Sequence, residues 1–423
     1  MQGLLLLSRT EVVAQQASAP GAPPRADTVS SRPRPELEPL GLRLGSFLVH
    51  SYVGFSPQFD DNVYATDAPR EADLISVFSP ALVARTNGTR HSVRLSAGAD
   101  LGRFRELSAE NYDDWRVSAD GLIDRTPGSR ILLGGAFAKL HQPRDSPDDA
   151  GGLSPTEYTS ATAFADFSHR PGRVFVHPDV VVNRLEYRSV TALVAGEPVE
   201  IEQDDRNRNA YAATLESGYG GGPDDGSFLR VRGVLSDYDR PQQVTGFDRS
   251  SRGLEVGAGI VLNSGGVTRG RAYVGYREQR YLDPLPDIRE PVFEVSVVWS
   301  PSEITTVKLE AGRQLAETTA PAYSGYVSTS TRIVVDHELR RSLILSAALA
   351  CERDAYVGIG RASRTDKTYF VDAGVSWLLN RHVVVSLRYE FTARDSTDDR
   401  VPEGLALDDF DRNRGWVRIE FRR

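Results

Sequence analysis

From Gly41 almost to the last residue, apolar and polar side chains alternate with a period of two. Leu343, Leu345, Ala347 and Leu349 share one face of a segment whose other face carries Ser346 and Ala348. Val383, Val385, Leu387, Tyr389 and Phe391 alternate with His382, Ser386, Arg388 and Glu390 in the same way. Leu254, Val256, Ala258, Ile260 and Leu262 alternate with Glu255, Gly257, Gly259 and Asn263, and Val307, Leu309 and Ala311 with Lys308, Glu310 and Gly312. Successive side chains of a strand point to opposite faces, so each segment reads as a strand with one apolar and one polar face. No amphipathic helix of three turns stands out after Gly41.

The connections between these segments narrow the choice further. Tight turns fall at Asn87-Gly88, Thr126-Pro127-Gly128, Arg170-Pro171-Gly172, Gly222–Gly226, Asn263–Gly266, Ser300-Pro301-Ser302, Arg340-Arg341 and Asn380-Arg381. Longer polar stretches lie between them, near 59–71, 141–155, 189–205, 239–247, 281–290, 316–324, 354–365 and 394–409. A soluble sandwich or propeller has no reason to alternate short and long connections. A transmembrane antiparallel β-barrel does, because its periplasmic turns are tight and its extracellular loops long. The expected fold is therefore all-β, a barrel of about 18 strands (16 is the alternative), with both termini in the periplasm.

Composition agrees with this reading and removes others. The chain is 40% hydrophobic and 26% charged, and no stretch approaches the roughly 20 apolar residues of a spanning helix. A net charge of -8 argues against nucleic acid as a partner. One cysteine, Cys351, leaves no intramolecular disulfide framework and no multi-cysteine metal site. Residues 1–40 differ from the rest. A short apolar run, Leu4–Leu7, is followed by Ala17-Ser18-Ala19 as a candidate cleavage site and then by a Pro-rich stretch ending near Pro39. The expected organisation is a signal-like, Pro-rich flexible lead over 1–40 and a barrel over 41–423.

Two sets of residues gain roles from this topology. Phe167, Tyr219, Trp299, Trp377 and Phe421 sit on apolar faces just before a short turn or the chain end, where membrane-interface aromatics belong. On the polar faces lie Asp100, Arg230, Arg232, Glu294, Lys308, Glu310, Asp372, Arg388 and Glu390. Unpaired charges are not buried in a dry core, so these residues are expected to line a water-filled lumen. The alternative is a set of salt-bridge ladders that pack the interior shut.

Motifs for covalent chemistry are missing or isolated. Asp336-His337 reads as a hydrogen-bonded pair near a turn, lacking the groove and second acidic pair that hydrolysis needs. No Gly-x-Ser-x-Gly elbow is present, the seven histidines show no metal-ligand spacing, and Gly220-Gly221-Gly222 lacks the lysine of a phosphate loop. No catalytic residue, metal or cofactor is therefore expected. The acidic doublets Asp60-Asp61, Asp148-Asp149, Asp204-Asp205, Asp398-Asp399 and Asp408-Asp409 fall in or beside the outer loops, and Asp224-Asp225 in a turn. They read as solvated loop charges, with cations bridging lipopolysaccharide phosphates as the alternative.

Several stretches from about Pro39 onward resemble a group of alphaproteobacterial outer-membrane proteins, the putative β-barrel porin family. The resemblance is carried by PLGLRLGSF at Pro39, FDDNVYAT at Phe59, LSAGADLGR at Leu95, SPDD at Ser146 and PTEY at Pro155. VGYR at Val274, VDHEL at Val335 and LLNR at Leu378 continue it. It implies a location in the outer membrane, lipid and lipopolysaccharide as surroundings, and delivery by the barrel-assembly machinery. Such barrels usually finish on an aromatic residue, whereas here Phe421 is followed by Arg422 and Arg423. Some similar proteins accompany capsule or exopolysaccharide production, so polysaccharide is an implied partner. The leading functional expectation is a channel for passive solute passage or exopolysaccharide export. A closed barrel whose loops bind something comes second, and a barrel-embedded hydrolase last. No subunit patch stands out on the outward faces to indicate an oligomer.

Overall fold

The structure is a computed structural model that describes residues 28–423 except 87, 89, 223, 224, 265, 322, 361, 362 and 399–408. Leu4–Leu7 and Ala17-Ser18-Ala19 therefore lie outside the described residues, as does most of the 394–409 connection. In the first half of the chain the strands are β1 (Leu42–Leu44), β2 (Phe47–Asp60), β3 (Asp73–Thr86), β4 (His91–Phe104), β5 (Tyr112–Thr126), β6 (Ser129–His141), β7 (Glu157–His169), β8 (Val174–Tyr187), β9 (Val190–Val194) and β10 (Glu197–Ile201). They continue as β11 (Arg208–Gly222), β12 (Asp225–Tyr238), β13 (Ser251–Ser264), β14 (Thr268–Tyr281), β15 (Ile288–Ser302) and β16 (Thr305–Glu317). The last five are β17 (Tyr323–Arg340), β18 (Leu343–Gly358), β19 (Ser363–Leu378), β20 (Val383–Asp398) and β21 (Phe410–Arg422).

Each long strand pairs antiparallel with its chain neighbours, and β2 pairs with β21, so the sheet closes on itself. With β1 set against β2 alone and β9–β10 forming a separate hairpin, eighteen strands make the barrel wall. Closure leaves no exposed edge, which is the condition for a sheet surrounded by hydrocarbon. At three places where the ladder lapses within the wall, proline explains it. Pairs are missing beside Pro57 toward β21, beside Pro80 toward β4 and beside Pro178 toward β7, each a residue with no N–H to donate. The turn between β5 and β6 follows from Pro127-Gly128, with Gly128 at φ 83°, which suits the third position of a type II turn.

All the tight turns expected from sequence join strands at one end of the barrel, and the other connections join them at the opposite end. Of the long loops expected there, the one at 354–365 is shorter than the sequence pattern suggests, because β18 runs to Gly358 and β19 starts at Ser363. One loop goes unmarked in the sequence pattern, the 105–111 connection between β4 and β5. It has no glycine or proline and holds a single 3-10 turn at Ser108–Glu110.

The two faces of the wall differ as the alternation requires. On β19, Tyr369, Val371, Ala373 and Trp377 are exposed, while Arg364, Asp366, Thr368, Phe370 and Asp372 are buried. Tyr369 and Trp377 are eight residues apart, as are Tyr211 and Tyr219 on β11. That is about 26 Å along a strand, or roughly 20 Å of height at a tilt of about 40°. An outward apolar belt of about 25 Å bounded by aromatic rings matches a bilayer core.

The lead is not loose throughout. Val29 is 0% exposed and donates its N–H to Thr306 Oγ1 (3.0 Å), and Arg34, 4% exposed, binds Glu338 Oε2 (2.7 Å). Arg32 donates to the Glu303 carbonyl, Arg341 to Glu36, and Arg422 to the Leu37 carbonyl (3.1 Å). Residues 28–39 thus strap the turn end of the barrel from β16–β17 to the closure seam. Composition places these residues in a Pro-rich flexible lead, whereas here residues 28–39 are held by the contacts just given. The stretch holds on through long-range polar contacts, Arg32 and Arg34 reaching the barrel end and the Leu37 carbonyl accepting from Arg422, an arrangement invisible to composition.

Ala373 lies midway between the Tyr369 and Trp377 rings, facing outward. Ala373→Arg should destabilise the vesicle-refolded barrel by about 2–4 kcal/mol, read from the urea midpoint.

Candidate functional site: the barrel interior and its mouths

The interior wall from β11 to β15 carries a continuous charged and aromatic cluster. Arg230 on β12 reaches Glu216 on β11 (2.8 Å) and Glu294 on β15 (3.0 Å), and Arg271 on β14 shares Glu216 (2.6 Å). The Arg230 guanidinium lies over the Tyr273 ring at 4.1 Å, and Arg271 over Phe228 at 4.1 Å. A side chain on β12 meets one on β15 only across the concave inner face, so these groups point into the lumen. The Tyr273 ring rests flat on the wall because Gly257 and Gly275 are beneath it. A Cβ on either would come within 2.6 Å and 2.4 Å of the Tyr273 hydroxyl. Phe228, Tyr273 and Val292 form a small buried apolar cluster here. Guanidinium–ring contact adds about 0.5–1 kcal/mol at exposed sites and about 2 kcal/mol where the groups are desolvated.

The opposite wall is charged but more open. Arg388 binds Asp372 (3.1 Å), Glu390 pairs with Arg414, and Asp100 accepts a hydrogen bond from Ser79 (2.7 Å). Lys308 lies 3.5 Å from Asp336 and 3.2 Å from Ser30 of the strap. Toward the turn end, β2–β6 enclose a cavity of about 530 Å³ lined by charged side chains, with Glu38 and Pro39 of the strap along one edge.

The long-loop end is crossed by the 142–156 connection between β6 and β7. Asp148 Oδ1 accepts hydrogen bonds from the Thr318 hydroxyl and the Thr319 N–H (both 2.9 Å), in the β16–β17 loop across the ring. Asp145 accepts from Arg412 on β21 at its carboxylate (2.6 Å) and from Arg394 on β20 at its carbonyl (2.6 Å). Arg144 clamps Glu110 with two hydrogen bonds (2.6 and 2.9 Å), and Gln142 accepts from Arg206 (2.9 Å). A loop held at four places around the ring narrows the opening. Burial alone would raise the Asp145 carboxyl, but Arg412, Arg414 and Arg394 outweigh it and hold it well below the ordinary carboxylate range.

A sequence model of the family described as "Putative beta-barrel porin 2" matches residues 34–423. The chain belongs to that family. No curated protein matches it. Among solved structures it is similar to OccK2 (OpdF) of Pseudomonas aeruginosa, at 11% identity and a TM-score of 0.47, covering 88% of this chain and 98% of that one. It is also similar to OccAB3 of Acinetobacter baumannii, at 10% identity and a TM-score of 0.46, covering 90% and 100%. OpdL of Pseudomonas aeruginosa aligns at 13% identity with a TM-score of 0.44, covering 90% and 99%.

Within this porin-family barrel, Asp100, Arg230, Arg232, Glu294, Lys308, Glu310, Asp372, Arg388 and Glu390 all fall on the inward side of the strand alternation. They do not form one group. Arg230 and Glu294 belong to the packed wall, Arg232 borders a smaller cavity beside it, and Asp372, Arg388 and Glu390 lie across the lumen. Phe167, Tyr219, Trp299, Trp377 and Phe421 are all exposed on the outer face. Asp336 and His337 point to opposite faces: Asp336 accepts from Ser346 (2.7 Å) and His337 meets Thr305 (3.0 Å), so they are not hydrogen-bonded to each other. The reading of the doublets as solvated charges fails at four of them, including Asp408-Asp409, where Asp409 accepts from the Ser396 N–H (2.6 Å). Asp61 accepts from Asn413 (2.6 and 2.7 Å), Asp148 bridges the mouth, and Asp205 accepts from the Gln243 N–H (2.9 Å). Asp399 and Asp408 lie outside the described residues. Composition marks these carboxylates as loop residues, but their partners lie in other loops or strands, 352 positions away for Asp61, 170 for Asp148 and 38 for Asp205.

A depressed folded-state value means that the Asp145 contribution is present above the unfolded carboxyl value, about 4, and is lost as pH falls through the lower folded value. Hydrogen exchange in residues 142–156, corrected for intrinsic rate, should therefore show no loosening from Asp145 between pH 7 and 4.5. Asp145→Asn should loosen the loop at neutral pH, since breaking a buried pair costs about 3–5 kcal/mol.

Proposed function

We propose that this chain is an outer-membrane pore that passes small hydrophilic solutes by diffusion. Its tight turns face the periplasm and the 142–156 loop narrows its outer mouth. The observation that carries this reading is the combination of a closed eighteen-strand wall with a polar, ionised interior that includes an open cavity. Barrels of 16–18 strands are wide enough to hold water, and charge that is not fully paired is stable only where water reaches it. On this reading the inward charged residues line the path, and selection is by size and mixed charge, with no covalent step.

Export of an extended exopolysaccharide fits less well, because the polymer would have to pass the bridge that Asp148 makes to Thr318 and Thr319. The rival is a barrel with a closed interior and a binding role for its loops. What favours it is the tight cluster of Arg230, Glu216, Arg271, Phe228 and Tyr273 on one wall. Conductance of the refolded protein across a planar bilayer decides between them. The pore reading expects discrete steps, enlarged in the double variant Asp145→Asn, Asp148→Ala. A folded barrel silent in both forms would establish the closed interior.

A further inference from the structure

We infer that the turn end of the lumen holds a binding site for a solute bearing two or more phosphate or carboxylate groups, built on Arg85, Arg94, Arg130 and His50. The inference deepens the pore reading and rests on it for the route by which such a solute arrives. Its seat is the cavity of about 530 Å³ enclosed by β2–β6.

Arg85 on β3 and Arg94 on β4 occupy directly opposed register positions, and the alternation of both strands turns them inward. Like charges directly opposite each other destabilise a strand pair, so this placement is favourable only with negative charge beside it. The cavity's carboxylates do not supply enough. Asp120 is opposed to Arg94 in register, and Asp124 to Arg130, leaving Glu38 of the strap against Arg85 and Arg90. Neither Arg85 nor Arg130 makes an ion pair or side-chain hydrogen bond among the described residues.

A second observation points to a ligand independently. His50, on β2, lines the same cavity, is 8% exposed, and neither ring nitrogen has a hydrogen-bond partner. Buried polar groups are paired in the great majority of cases, and an imidazole N–H is a donor suited to an oxyanion. Arg85 and Arg130 stand three strands apart, about 14 Å between backbones, a span that their long side chains can close from both sides. Planar guanidinium forks match the paired oxygens of phosphate and carboxylate alike.

The test uses the full refolded chain in detergent, titrated calorimetrically with pyrophosphate and with citrate at constant ionic strength. Both anions are expected to bind saturably. Arg85→Gln and Arg130→Gln should each weaken binding by about ten-fold or more, as loss of a charge-assisted hydrogen bond predicts. His50→Ala should weaken it less. Arg252→Gln, an exposed arginine at the other end of the barrel, should leave it unchanged. Heat-modifiable migration on gels confirms that each variant is folded. Absence of saturable binding by either anion, or folded Arg85 and Arg130 variants that bind as tightly as the parent, would overturn the site. Conductance of the same preparation separates the two ideas. Binding without conductance removes the pore and leaves the site, and conductance without binding removes the site alone.

Discussion

The backbone hydrogen bonds between β2 and β21 decide what the rest of the molecule can be. Without that seam the sheet would have two free edges, each a row of unpaired N–H and carbonyl groups, and hydrocarbon offers nothing to satisfy them. The seam runs from Tyr52 opposite Arg422 to Asp60 opposite Arg414 and lapses only beside Pro57. Once the ring is closed, every side chain must face either lipid or lumen. The sequence alternation then acquires its meaning, with one set of residues selected for hydrocarbon and the other for water and counter-charge.

Inside the ring the counter-charges are unevenly distributed. The wall from β11 to β15 is nearly self-sufficient: two arginines share Glu216, and each lies over an aromatic ring. Such a surface is rigid and electrostatically quiet. The wall from β2 to β6 keeps an arginine excess around a cavity. The lumen therefore has one wall whose charges are matched within it and one that keeps spare guanidinium groups. The 142–156 loop roofs both by drawing ligands from the rims of β16–β17 and β20–β21.

The fold was legible in the sequence because it rests on local, repeated signals. Alternation from Leu343 to Leu349 and a tight turn at Pro127-Gly128 need no knowledge of distant residues. The strand number and the outward position of Trp299 or Trp377 follow from the same signals. What could not be read depends on pairs far apart in the chain. Asp148 looked like any loop carboxylate because Thr318 is 170 positions away, and Arg34 looked like linker because Glu338 is 304 away. The cavity was missed for a related reason. Arg85, Arg94 and Arg130 alternate correctly on three different strands, and only the register brings two of them face to face.

The strap has a consequence for the order of events during folding. Residues 28–39 are held by Glu303, Thr306, Glu338, Arg341 and Arg422, all from the last third of the chain. The segment that precedes the barrel in the chain therefore has no binding place until the last barrel strands have been laid into the wall. Its docking works as a latch that closes only on a completed ring, so attachment of the lead records that the final strand has found the first.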